Sequence, residues 1–230
     1  QFPVVYLKSR PEGARYTNLT TSVAMGDVAA LKKLRKLHVA ENGRAEVESM
    51  WPRKGGVMAC LKDVSIAHMA CGGDAAEVVA RACPALVALH VKGLTKMSNL
   101  SEFGIRCPEL ACIKVEMCGS PARWEDDGAF LVPAARSLKE VHVQFCTGVV
   151  RLGALSGLKQ LGMLDMSHCN VGECGMLKAC PGLHSIIMTT CTGVTKAPNT
   201  DSLHTLCLAR CQDIGDLNAL RGHHTLEDVD

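Results

Sequence analysis

One hydrophobic pattern recurs along almost the whole chain: Leu-x-x-φ-x-φ, where φ is an aliphatic residue or Met. It begins at Leu34, Leu61, Leu86, Leu110, Leu138, Leu161, Leu183, Leu203 and Leu226. The second column reads Leu37, Val64, Leu89, Ile113, Val141, Leu164, Ile186, Leu206 and Val229. The third reads Val39, Ile66, Val91, Val115, Val143, Met166, Met188 and Leu208. Every place in these columns is filled by an apolar residue in a chain that is only 47% hydrophobic, so the pattern is not chance. Apolar residues two apart, with a polar or small residue between them, are the signature of a short strand with one buried side. Each unit therefore carries one strand.

Successive starts lie 27, 25, 24, 28, 23, 22, 20 and 23 residues apart. Units of roughly 20 to 29 residues with one such strand are leucine-rich repeats, which bury their leucines only against neighbouring units. The expected fold is an α/β solenoid, a horseshoe or arc with a parallel concave sheet and short helices or turns on the convex side. Residues 34–230 hold eight full repeats and the start of a ninth. Residues 1–33 fit poorly and are assigned to an N-terminal cap or degenerate repeat, with Val4, Val5 and Leu7 on a strand and a helix from about Ser22 to Lys33. On the convex side, Asp74 is placed to cap a helix over 75–83. Inward pairs four apart are expected at Val79 and Cys83, Phe103 and Cys107, Leu131 and Ala135, and Met176 and Cys180. A further helix is expected from Asp126 or Asp127 to near Ser137. The last repeats are too short for a full helix and call for turns or 3₁₀ segments. The ninth repeat stops within its strand, so its edge is expected to be covered by further repeats or by a partner.

Thirteen cysteines would suggest a disulfide framework or a zinc site, most of all in the stretch 168–194. The register assigns most of them to structure instead. Three residues beyond the third column stand Asn42, Met69, Leu94, Cys118, Cys146, Cys169, Cys191 and Cys211. The repeat consensus takes Asn or Cys at that place, where a side chain pointing inward can donate to the backbone of the turn. A second set, Cys83, Cys107 and Cys180, lies three residues before a leading Leu, and each is followed by Pro, which ends the convex segment. Cys174 is left without a register assignment. Reduced thiols buried as small apolar groups are therefore expected, in an intracellular, reducing compartment such as the cytoplasm.

These residues carry a family resemblance. The cysteine ladder with Cys-Pro-x-Leu resembles the cysteine-containing leucine-rich repeats of F-box-type ubiquitin-ligase receptors. Leu161-Gly-Met-Leu-Asp-Met-Ser-His-Cys169, Cys146-Thr-Gly-Val149 and Cys191-Thr-Gly-Val194 look more like the leucine-rich-repeat proteins of trypanosomatids. The resemblance implies a protein-binding module with no catalytic residues in its repeats. Residues 1–33 contain no recognisable F-box.

Composition narrows the function further. The charge is balanced, 25 basic against 23 acidic residues, so no direct nucleic-acid signature exists. No apolar run approaches the ~20 residues of a membrane span. Lys54-Gly55-Gly56 is too little for a phosphate loop, and no G-x-S-x-G nucleophile motif occurs. No cofactor, catalytic group or metal site is expected. His38, His90 and His142 recur in one column, but two repeats separate each from the next, about 10 Å. The concave positions mix charge with exposed apolar groups, and the candidate partner-binding residues are His90, Lys92, Lys114, Glu116, Met117, Glu140, His142, Phe145, Met163 and His168. The leading reading is a non-enzymatic protein–protein interaction scaffold within a larger assembly. The alternatives are a substrate-recognition subunit of a ubiquitin ligase whose adaptor domain lies outside this chain, and an enzyme or enzyme regulator acting through the concave His, Lys and Glu side chains. The first expected outcome concerns the thiols. Titration of the denatured chain without reductant should find nearly all thirteen free, and two or more disulfides would contradict the register assignment.

Overall fold

The computed structural model describes residues 4–8, 34–40, 51, 56–68, 75–94, 100–118, 136–146, 149–150, 152–155 and 158–230. Among them one sheet of ten strands runs through the molecule. Its strands are β1 (Val4–Lys8), β2 (Lys36–Ala40), β3 (Asp63–Ala67), β4 (Ala88–Lys92), β5 (Cys112–Glu116), β6 (Glu140–Gln144), β8 (Met163–Asp165), β10 (Ser185–Ile187), β11 (Thr205–Cys207) and β12 (Asp228–Val229). They lie in chain order and every neighbouring pair is parallel. β7 (Val149–Val150) and β9 (Asn170–Val171) form a separate parallel pair beyond the strand ends. The sheet is open and the chain is an α/β solenoid.

The strands stack without slippage. Leu37 pairs with Val64, Val64 with Leu89, and the second column continues through Ile113, Val141, Leu164, Ile186 and Leu206 to Val229. Burial alternates as the sequence pattern requires, with the two φ positions of β2, β4 and β5 buried and their neighbours partly open. The leading leucines from Leu34 to Leu203 are at most 3% exposed. β1 continues the register, with Val5 opposite Leu37 and Leu7 opposite Val39.

Two backbone ladders explain the regularity. Where each strand begins, one carbonyl accepts two successive N–H groups of the next repeat. Arg35 O takes Lys62 and Asp63, Lys62 O takes Val87 and Ala88, and the series runs on to His204 O, which takes Glu227 and Asp228. Just before the strand, the leading Leu closes a tight turn by donating to the residue three back, as in Leu86 to Cys83, Leu110 to Cys107 and Leu183 to Cys180. Proline in the second place of that turn sacrifices no hydrogen bond, because its missing N–H has no role there.

The cysteines complete the lattice. Each ladder thiol donates to the carbonyl of the third-column residue one repeat earlier: Cys118 to Val91 (4.0 Å), Cys146 to Val115 (3.8 Å), Cys169 to Val143 (3.2 Å), Cys191 to Met166 (3.0 Å) and Cys211 to Met188 (2.7 Å). Cys118, Cys146, Cys169 and Cys191 also lie 3.4–3.9 Å from a carbonyl two residues back, in their own turn. In the Cys-Pro set, Cys107 reaches Cys83 O at 3.3 Å and Cys180 reaches Leu155 O at 2.9 Å. Burial pushes the Cys107 thiol up to about 12 and those of Cys174 and Cys191 to about 11, which keeps them protonated and unreactive. All twelve cysteines among the described residues are free thiols.

The convex side follows repeat length. The longer repeats hold helix α1 (Ala75–Ala82), which buries Val79 and Ala80, and helix α2 (Ser101–Arg106). Arg106 links them, its guanidinium 2.8 Å from Glu102 and 3.7 Å from Glu77. Val79 with Cys83, and Phe103 with Cys107, are fully buried as expected. The later repeats use 3₁₀ segments at Leu152–Leu155, Cys174–Ala179 and Asn218–Leu220. One expected pair fails there: Met176 is 49% exposed, and Leu177 points inward instead. A spacing of four belongs to the α-helix. This segment turns in about three residues, so Cys174, Leu177 and Cys180 share the buried side. Asp74, the helices expected over Ser22–Lys33 and from Asp126 or Asp127, the Leu131–Ala135 pair, and Asn42 and Met69 lie outside the described residues.

The core prediction is direct. Leu138 and Leu161 are fully buried in mid-sheet repeats. Replacing either with Ala should cost about 2–5 kcal/mol in denaturant unfolding, whereas a loss under about 0.5 kcal/mol would show the column assignment to be wrong.

Candidate functional site

The concave face is built from four columns, at two, four, six and seven residues after each leading Leu, and strand pairing sets Lys92 beside Glu116 and Glu116 beside Gln144 in the third. Residues two after the leading Leu pair as Ala88, Cys112, Glu140 and Met163. Residues four after it pair as His90, Lys114, His142 and Asp165. Seven after it comes a column of unusual backbone. His68, Met117, Phe145, His168, Thr190 and Arg210 all have φ between 50° and 59°, and Gly93 has φ 63°. This is the left-handed region, which costs a residue with a Cβ roughly 1–2 kcal/mol. The turn is held by a third ladder, in which the N–H of Met117 donates to Gln144 O, that of Phe145 to Ser167 O, and that of His168 to Thr189 O. Among the described residues of this column, only Gly93 takes that conformation freely. A Cβ there would stand 2.6 Å from the His68 ring.

The left-handed turns hold side chains out on the rim. Met117 is 53% exposed and Phe145 49%. The Phe145 ring stacks on His168, centroids 4.2 Å apart and 11° from parallel. Met117, Phe145 and His168 thus occupy the same place in three successive repeats.

Beside this ledge lie two polar clusters. In the first, Glu116 accepts from Lys92 at 2.9 Å and stands 3.3 Å from His90 Nε2. The Lys92 hydrogen bond, against the opposing effect of burial and with help from His90 and Lys114, holds the Glu116 carboxyl below its ordinary value of 4.5. Burial lowers His90 below 6.5, although Glu116 pulls the other way. In the second cluster, Asp165 accepts from Ser167 N–H at 3.0 Å, from Ser167 Oγ–H at 2.8 Å, and from Gln144. Burial alone would raise Asp165, but His142 and these donors together bring it below 3.8. His142 sits between carboxylates, with Nδ1 3.7 Å from Asp165 and Nε2 3.6 Å from Glu140.

Of the expected residues, the structure joins His90, Lys92 and Glu116 in one cluster, Glu140 and His142 in the other, and Phe145 and His168 in the stack. Lys114 lies between the first two, and Met163 flanks Glu140 on the next strand. Asp165, Gln144, Ser167 and Cys112 complete the clusters and were not among the expected residues. The signal for them was lateral, since each follows from reading down a column across repeats. His38, His90 and His142 do lie on alternate strands, as the spacing required. The expectation of no metal site weighed the cysteines and histidines of 168–194 and the column of His38, His90 and His142, and not a set that lies across columns. Across columns, Cys112, Glu140 and His142 bring one donor atom each within 4.8 Å of one another.

No protein-family model and no curated protein matches the chain. Solved structures do. An internalin, inlF, from Listeria monocytogenes superposes with a TM-score of 0.55 at 13% identity, over 90% of this chain and 70% of that one. TLR13, solved in complex with ssRNA13, gives 0.53 at 13% identity over 89% of this chain, which spans only 33% of it. The fold is that of the leucine-rich-repeat proteins. At these identities the likeness extends to the fold alone. Among the described residues, no helix is long and apolar enough to cross a membrane.

The depressed groups set a pH dependence. His90, Glu116 and Asp165 each bind their proton less readily in the folded chain than in the unfolded one, so the unfolded state takes up protons first as pH falls. Stability is full above the ordinary His value and declines below it, first through His90 and then through the two carboxylates. The melting temperature should fall on going from about pH 7.5 to about pH 5, and His90→Gln should flatten the part of that decline nearest pH 6. A melting temperature that rises on acidification would refute the assignment.

Proposed function

We propose that this chain is a protein-binding scaffold, a subunit of a larger assembly, and that it docks its partner on the concave face around Phe145. The single observation behind this reading is the exposed ledge of Met117, Phe145 and His168 on left-handed backbone. A bulky ring at positive φ is a steric outlier that Gly would avoid, and such strain is retained where a site needs the side chain. Exposed aromatic and Met groups rimmed by hydrogen-bonded charge have the make-up of an interface centre. Free thiols throughout the described residues fit a reducing compartment. The repeat motifs around Cys146, Cys169 and Cys191 support kinship with the trypanosomatid proteins.

The test uses two replacements of one residue. Phe145→Ala removes the ring and leaves the backbone strain, whereas Phe145→Gly removes both. Gly should keep unfolding stability within about 0.5 kcal/mol of the parent, because relief of the turn offsets the lost stack on His168. Both variants should lose the partner in affinity purification with mass spectrometry, by roughly 30-fold or more for an interface centre. Unchanged partner recovery by both, with the fold intact, would overturn the concave-face reading.

A further inference from the structure

The three donors that converge on the concave face differ chemically: the Cys112 thiol on β5, and the Glu140 carboxylate and the His142 imidazole on β6. His142 is only 9% exposed, yet its Nε2 is buried with no hydrogen-bond partner. Glu140 lies 3.6 Å from that atom, beyond hydrogen-bond reach. The other ring nitrogen faces Asp165, a carboxylate fixed by Ser167 and Gln144. A proton on Nδ1, directed at Asp165, leaves the Nε2 lone pair pointing toward Glu140 and Cys112. The Cys112 thiol has Glu140 as its hydrogen-bond partner, and the three donor atoms meet in a half-buried space where His142 Nε2 is left without one. Asp165 stands 3.7 Å from Nδ1, also beyond hydrogen-bond reach, and a small ring movement would give the hydrogen-bonded carboxylate backing usual behind a metal-bound histidine. None of these residues belongs to the cysteine ladder or the Cys-Pro turns, so the repeat architecture does not require them.

We propose that Cys112, Glu140 and His142 form a zinc site with three protein ligands and a water in the fourth position, and that Asp165 positions His142 for it. The donor set of sulfur, nitrogen and oxygen suits a borderline ion, and three ligands with an open place is one of zinc's two common arrangements. Bonds of about 2.0–2.3 Å imply donor separations of roughly 3.3–3.7 Å. The His142–Glu140 distance is already in that range, and Glu140, the exposed member, can swing to close the set. Binding releases the Cys112 proton to solvent, one for each ion taken up, and leaves a zinc thiolate. Burial and Glu140 push the free thiol up to about 11, so it stays protonated and inert until metal is present. The inference stands apart from the partner-binding reading, since it needs no partner chain.

The whole chain, fully reduced, is titrated with Zn²⁺ against a chromophoric chelator, and with Co²⁺ as a spectroscopic probe. One equivalent should bind, and the cobalt form should show thiolate charge-transfer absorption with ligand-field bands of tetrahedral intensity. Cys112→Ser should abolish the charge-transfer band, and Cys207→Ser, a control cysteine on the same face, should leave it unchanged. Glu140→Gln changes an exposed side chain and cannot act by unfolding the repeat; it should weaken zinc by at least about 10-fold. Asp165→Asn should weaken it by about 10- to 100-fold while the cobalt spectrum keeps its tetrahedral form. Absence of a stoichiometric equivalent, or one that survives both Cys112→Ser and Glu140→Gln, overturns the site.

Discussion

Each strand of this solenoid leaves a carbonyl that its own repeat cannot satisfy. The third-column residue lies at or beside the end of the strand, and from Val91 to Met188 its C=O faces the next repeat, two residues before the backbone turns into the left-handed region. A thiol from the next repeat answers it, from Cys118 on Val91 to Cys211 on Met188. A buried carbonyl without a partner costs on the order of 1–3 kcal/mol. The repeat is therefore a unit that becomes acceptable only when its neighbour is in place and in register. The same holds for the leucines, which are buried by contacts that cross repeat boundaries. Cysteine suits the post because it is a small apolar side chain with a weak donor, so it satisfies the carbonyl without introducing a strongly polar group into the core.

That constraint also shapes the outer surface. A strand that must end in a left-handed turn imposes positive φ on the residue seven after the leading Leu, from His68 to Arg210. Glycine would remove the strain, yet among the described repeats only Gly93 takes that course. The others carry His, Met, Phe, Thr or Arg, and the middle three form the apolar ledge. Strain accepted at one position in successive repeats sums to several kcal/mol at roughly 1–2 kcal/mol each. The hydrogen-bond ladder from those same residues to the next repeat holds the turns against it. Architecture and candidate interface thus share one set of backbone atoms.

The polar face follows a different logic. A parallel sheet in strict register brings each concave side chain beside its counterparts one repeat away. Lys92 and Glu116 meet in this way, as do Lys36 and Asp63 at 2.9 Å. His142 meets Glu140 on its own strand and Asp165 on the next. Such clusters need no loop or pocket. They are products of column composition, and they vary along the solenoid because the columns do.

The repeat pattern alone determined the strands, their order and parallel pairing, the inward leucines and the structural posts of the ladder and Cys-Pro cysteines. It could do so because each depends on a local period and on one register that is propagated unchanged. The strand at Val4–Lys8 was legible only as a degenerate unit, since Phe2 stands where the pattern demands Leu. Met176 was misplaced because periodicity names a spacing and not the helix type; a short repeat tightens the segment to 3₁₀ and brings Leu177 inward. What only the tertiary structure decided was lateral. The stack of Phe145 on His168, the cradle around Asp165, and the meeting of Cys112 with Glu140 and His142 each join residues from successive repeats. Their distances depend on the exact lateral fit of one strand against the next and on side-chain rotamers, and no one-dimensional period encodes either.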